Sequence, residues 1–330
     1  MKLRPKVFLL LSAVFLALAL VEWGVGQFVL LPRFEDIERD QAATAMRRIE
    51  QGIDQELARL KSVAYEEANW SETYAFVIDH NARYIAMNLT PAEFRQLRVS
   101  TLSVIGADGT VAWATGANPQ TGERTSFDLL PSGGMPPSHA WYRHLTDGGA
   151  ASGLISTPQG VLMAAISPIL DGTEHGPPRG AVLVGRHLDA AELAVIGRRA
   201  QTSVQFANLH SNAGAAADRG QSRSAKQLVL TDSTTEVYRT FDDIDGRPLM
   251  TLRVDVPRTI TAGARSTVAY ATAFTICAAI VVMMILMIAL NLTVLTPLGR
   301  MTRHAVTIAA GGDLTAVSYT HLTLPTIYSV

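Results

Sequence analysis

The 330 residues carry 28 lysines and arginines against 29 acids, a net charge of −1, with 48% apolar and only 17% charged residues. A near-neutral chain without a basic stripe does not bind nucleic acid by neutralising phosphates. Its single cysteine, Cys277, excludes a disulfide framework or a thiolate metal site within one chain. The apolar excess sits in two blocks, Val7 to Leu31 and Val268 to Leu295, which excludes a disordered chain and a polytopic transporter.

The first block follows Lys2, Arg4 and Lys6 and is interrupted at Glu22. Ala17-Leu18-Ala19 resembles the small-residue end of a secretory signal. The apolar run continues past it, however, to 25 residues, where about 20 span a bilayer, and an uncleaved anchor is the preferred reading. The second block lies within a stretch from Ser266 to Gly299 that has no charged residue, and Arg300, Arg303 and His304 follow it. Basic residues before the first span and after the second place both termini in the cytoplasm. The expected order is a short cytoplasmic start (1–6), a span (7–31), an outer domain (32–267) and a second span (268–295). Such a chain resides in a bacterial inner membrane.

In the outer segment, residues 33–64 read as a stalk helix. Ile49, Ile53, Leu57, Leu60 and Ala64 keep one face apolar. Two readings are open for that stripe: pairing with another copy, or packing on its own domain. Strands follow. Thr101 to Ile105 and Thr110 to Ala114 flank Gly106 to Gly109, and Gly153 to Thr157 and Val161 to Ser167 flank Pro158 to Gly160, two hairpins. Ala181 to Gly185, a short helix from Ala190 to Arg199, and strands at Ser203 to Ala207, Gln227 to Leu230, Glu236 to Phe241 and Pro248 to Val256 complete the set. Asn212 to Ser224 reads as a loop. Antiparallel strands with helices packed to one side make the fold class α+β.

Chemistry is harder to find. His139 and His144, five apart, miss the spacing that shares a helix face. No nucleophile elbow, HExxH or phosphate loop is present, so no catalytic residue, metal or cofactor is expected. The densest unusual patch runs from Glu66 to Leu89, with Trp70, Tyr74, Phe76, Tyr84 and Asn88 among Glu66, Glu67, Glu72 and Asp79. Trp70 and Tyr74 are one helical turn apart. They read either as wedges between helix and sheet or as a pocket wall, since both rings join an apolar face to a polar handle.

Asn69 to Phe76, Tyr84 to Leu89 and the strand-turn-strand from Val104 to Val111 resemble the type-four CHASE domain, an extracytoplasmic sensory domain attached to bacterial cyclases and histidine kinases. Gly153 to Gly160 and Gly180 to Arg186 fit the same pattern, so the likeness covers about residues 60–200. It implies a PAS/Cache-like antiparallel sheet carried by the stalk helix, with Trp70, Tyr74, Tyr84 and Asn88 as ligand-binding candidates and Arg186 as a possible anion partner. Family members often carry an acid immediately before the Trp, where this chain has Asn69.

After the second span, Thr296 to Arg300 and Ala309 to Leu314 resemble the opening helix of a HAMP linker (296–316). Leu298, Met301, Ala305 and Ile308 form its seam. Val317 to Val330 breaks that seam and reads as a non-native tail. The expectation is the input half of a homodimeric receptor, paired through stalk and HAMP helices and answering an unidentified periplasmic small molecule or protein. Its missing cytoplasmic output is expected to turn over cyclic-di-GMP. The alternatives are a histidine kinase, a chemoreceptor, or an anchored binding protein without output.

Overall fold

A computed structural model describes residues 3–125, 129–130, 134–146, 149–171, 177–207, 227–231 and 233–311. The expected loop at Asn212 to Ser224, the helix end at Gly312 to Leu314 and the tail from Val317 to Val330 lie outside these residues. The chain divides into two units, Phe34–Ala262 and the combined segments Met1–Arg33 and Gly263–Val330.

The combined segments contain α1 (Leu3–Val25) and most of the long apolar helix near the C-terminus, Thr259–Leu290. Both helices are long and apolar enough to cross a bilayer. Each is followed by one π-helical turn, Gly26–Leu30 and Asn291–Leu295. A further helix, Thr296–Gly311, occupies the position expected for the HAMP-like segment.

The other unit is built on α2 (Leu31–Ala68), whose 38 residues extend for about 57 Å at 1.5 Å per residue. Among the described residues of this unit, four α-helices follow α2: α3 (Ser71–Asp79), α4 (Ala82–Asn88), α5 (Pro91–Leu97) and, after six strands, α6 (Ala190–Arg199). The helices Thr259–Leu290 and Thr296–Gly311 are then α7 and α8.

Among the described residues, ten strands form two antiparallel sheets. The first contains β1 (Thr101–Gly106), β2 (Val111–Ala117), β3 (Arg124–Thr125), β4 (Ala151–Thr157), β5 (Gly160–Pro168) and β6 (Gly180–His187), in the order β3-β2-β1-β6-β5-β4. The second contains β7 (Ser203–Ala207), β8 (Gln227–Leu230), β9 (Thr234–Asp242) and β10 (Pro248–Pro257), in the order β7-β10-β9-β8.

Strand alternation gives the first sheet two buried faces. Leu102, Val104, Met163, Ala165, Val182 and Val184 share a core with Met46, Ile49, Ile53 and Leu60 of α2 and with Phe76, Tyr84 and Phe94 of α3 to α5. Their neighbours Ile105, Leu162, Ala164, Ile166, Ala181 and Leu183 pack on Met135, Trp141 and Leu145. Packing therefore covers both faces rather than one. Val237, Met250, Leu252 and Val254 of the second sheet join the core of α2, so one helix carries both sheets. The apolar stripe is thereby resolved: Ile49, Ile53, Leu60 and Ala64 are buried against the helix's own domain. Gly52 lets α6 come close, because a Cβ there would lie 2.7 Å from Cγ2 of Ile196.

Candidate functional site

The aromatic patch folds into three short helices separated by tight corners. Trp70 is the extended residue before α3, and His80 closes that helix in the left-handed region at φ 50°. Asn81 caps α4 by accepting from the Arg83 amide, and Thr90 caps α5 by accepting from the Glu93 amide, with Pro91 at the first helical position.

The sequence candidates fall in different environments. Tyr84 is buried. Its ring stacks on Phe76 with centroids 4.6 Å apart, and its hydroxyl shares a 2.7 Å hydrogen bond with the Thr73 hydroxyl. Burial pushes the phenol up to about 12, with Glu67 and Glu72 adding to the effect and the Thr73 bond opposing it. Tyr74 is half-buried, and the Arg179 guanidinium lies 3.9 Å from its ring centroid, a cation–π contact that the sequence did not suggest. Trp70 is 39% exposed, and Asn88, the last residue of α4, is half-buried.

Arg186 belongs to a separate network. It is 2% exposed; its Nη1 donates to Glu56 Oε2 at 3.0 Å and to Glu192 Oε1 at 3.3 Å, and its Nε donates to the Arg98 carbonyl. Arg199 donates to the other oxygen of Glu56. The guanidinium thus ties β6 to α2 and α6. Both carboxylates accept from Nη1, while Nη2 is buried without a hydrogen-bond partner among the described residues.

Three acids lie on the buried face of α2: Glu38, Glu56 and Glu67, spaced 18 and 11 residues, close to whole numbers of turns. Glu38 accepts from Arg258 Nε at 3.1 Å and from the amide and hydroxyl of Thr261. Glu56 holds the two arginines above. Glu67 differs: it is 4% exposed, and its Oε2 has no hydrogen-bond partner among the described residues. Both polar side-chain atoms of Asn69, just beyond the helix, are also buried and unbonded. Burial, then Glu93 and Glu66, push the Glu67 carboxyl up to about 7. The sequence signal for this set was the helical spacing of the acids with the apolar stripe.

Residues 52–207 match the model of the CHASE4 domain. This segment is a CHASE4 extracytoplasmic sensor domain. It runs from the middle of α2 through the first sheet and α6 to β7. The CHASE4 domain belongs with non-catalytic sensory modules, and among the described residues no group of three His, Cys, Asp or Glu is placed to hold a metal.

Across 310 residues and 92% of its length, the chain is 26% identical to the methanogenesis regulatory histidine kinase FilI of Methanothrix harundinacea (strain 6Ac). The chain spans about a third of that relative, 34% of its length. Among solved structures, a domain of a putative sensory box/GGDEF family protein from Vibrio parahaemolyticus matches with a TM-score of 0.47 and 7% identity, covering 69% of this chain and 99% of that one. The sensor domain of the V. cholerae histidine kinase DctB matches with a TM-score of 0.39 and 13% identity, covering 68% and 98%. Together with the two apolar helices that flank the domain, the family match makes the chain the sensory part of a signalling receptor.

Proposed function

We propose that this chain is the input half of a transmembrane receptor histidine kinase, with residues 34–262 outside the cytoplasm and a kinase following α8 in the complete protein. The observation that carries the reading is the breadth of the match to a regulatory histidine kinase, which covers 92% of this chain and so extends well beyond residues 52–207. It favours a kinase over the cyclic-di-GMP output placed first in the sequence reading. The experiment grafts residues 1–316 onto the cytoplasmic kinase half of a receptor with a known reporter. Kinase activity should depend on the sensor, so that deleting residues 52–207 fixes it at one level. Activity indifferent to that deletion would remove the receptor reading, leaving an anchored binding protein.

Pairing through α2 has physical support of its own. Ile37, Gln41, Thr44, Arg48, Gln51 and Gln55 recur at alternating steps of four and three on the face away from the core. They line two clefts, of about 670 and 320 Å³, that share Arg48 and Gln201. A second α2 laid along this seam would make a parallel homodimer. In a Cys277→Ala background, Gln41→Cys and Gln51→Cys should each cross-link between copies. Asp54→Cys, about a quarter turn off the seam, should not.

A further inference from the structure

Glu67 occupies a site that does little to support its charge. It lies in the last turn of α2, where the helix dipole places partial negative charge. Among the described residues, the groups that act on it or feel it are Glu66 on its own helix, Glu93 of α5 and the phenol of Tyr84 on α4, none of them a cation. One carboxyl oxygen finds no hydrogen-bond partner among the described residues, and neither end of the buried Asn69 amide does. Buried polar atoms without partners cost free energy that water would relieve, so the closed corner between α2 and α3 is only weakly held. A carboxylate charge added there has no compensating partner until the corner opens.

We propose that the α2–α3 corner is a proton-dependent latch, closed against the first sheet while Glu67 is neutral and driven open when Glu67 ionises. This rests on the reading of residues 34–262 as a sensor, and it names the proton as one of the signals that sensor takes. The sign follows from linkage. The closed state holds the proton up to about pH 7, whereas an opened, hydrated carboxyl releases it near the ordinary 4.5. Between those values each pH unit shifts the balance toward the open form by about tenfold, roughly 300-fold in all, and beyond them the balance is flat. Opening would free Trp70 and α3, the segment that carries the family's most specific motif, and would expose Tyr84 and Thr73.

The test is hydrogen exchange of the full chain in lipid nanodiscs from pH 4.5 to 8.5, corrected for intrinsic exchange and followed in peptides covering residues 62–90. In the wild type, exchange there should rise with pH and level off near 7, while peptides from β5 and β6 stay unchanged. Glu67→Gln, which keeps the neutral shape at every pH, should remain protected throughout. Glu93→Gln removes a like charge and should move the plateau to lower pH. A flat wild-type profile, or one that Glu67→Gln leaves unaltered, would overturn the latch. Should Glu67→Gln fail to fold, the Glu93→Gln profile decides, and an unmoved plateau overturns it. The measurement involves no output domain, so its failure is distinct from failure of the receptor reading.

Discussion

Glu56 holds two guanidinium groups, one of them Arg186, almost wholly out of water. Removing one partner of a buried pair leaves the other charge uncompensated, at a cost of about 3–5 kcal/mol. Glu56→Ala should therefore destabilise the sensor by that amount in a denaturant titration. Arg199→Ala, whose side chain is mostly exposed, should cost about 1 kcal/mol or less. The aromatic set divides the same way. Tyr84→Ala removes a stacked, hydrogen-bonded core ring and should cost about 3–5 kcal/mol, whereas Trp70→Ala should leave the domain folded. A ligand response lost in Trp70→Ala, measured with the kinase graft, would make Trp70 a contact residue. An unchanged response would leave it a corner residue. The aromatics were legible because their spacing is local. The Glu56–Arg186 pair was not, because its partners are 130 residues apart and no periodicity links them.

At the scale of elements, α2 is fastened near its start as well as along its middle. Glu38 is 1% exposed, and it joins α2 to the residues that open α7 through Arg258 and Thr261. Burial alone would raise its pKa, but the Thr261 bonds and Arg258 together hold it below the ordinary value. A depressed carboxylate stabilises the fold above its unfolded pKa, and that stability is lost as pH falls through the lower folded value. This fastening should loosen only in acid below about pH 4.5, the opposite sense to Glu67. Glu38→Gln should remove the acid-side loss and lower the thermal midpoint at pH 7 by roughly 10 °C, as expected for a few kcal/mol in a unit of this size. An unchanged midpoint would show that the Arg258 pair contributes nothing.

Most regular elements were legible: α6, β7 and β8 have the bounds their patterns suggest, and Asp108-Gly109 marks the first hairpin because Gly109 turns at φ +85° while Asp108 accepts from the Thr110 amide and hydroxyl. The division into two sheets was not legible. Strand patterns specify which face is buried, but the partner of β7 is β10, more than 40 residues away across the chain.

At the scale of the whole molecule, the proposed two-span topology rests on apolar length and flanking charge rather than on packing. Lys2, Arg4 and Lys6 precede one span, and Arg300 and Arg303 follow the other. Moving either cluster across a bilayer is opposed by the rule that retains cations on the cytoplasmic side. The proposed topology exposes residues 34–262 on the far side, as an extracytoplasmic sensor requires. Two exposed positions report on this arrangement: Gln159 in the turn between β4 and β5, and Met301 in α8, which is 72% exposed. With Cys277→Ala as background, Gln159→Cys should react with a membrane-impermeant maleimide in intact cells. Met301→Cys should react only after the inner membrane is opened. Equal labelling of the two before permeabilisation would place α8 outside with the sensor. The chain would then cross the membrane once or not at all, and no α8-linked kinase could lie in the cytoplasm.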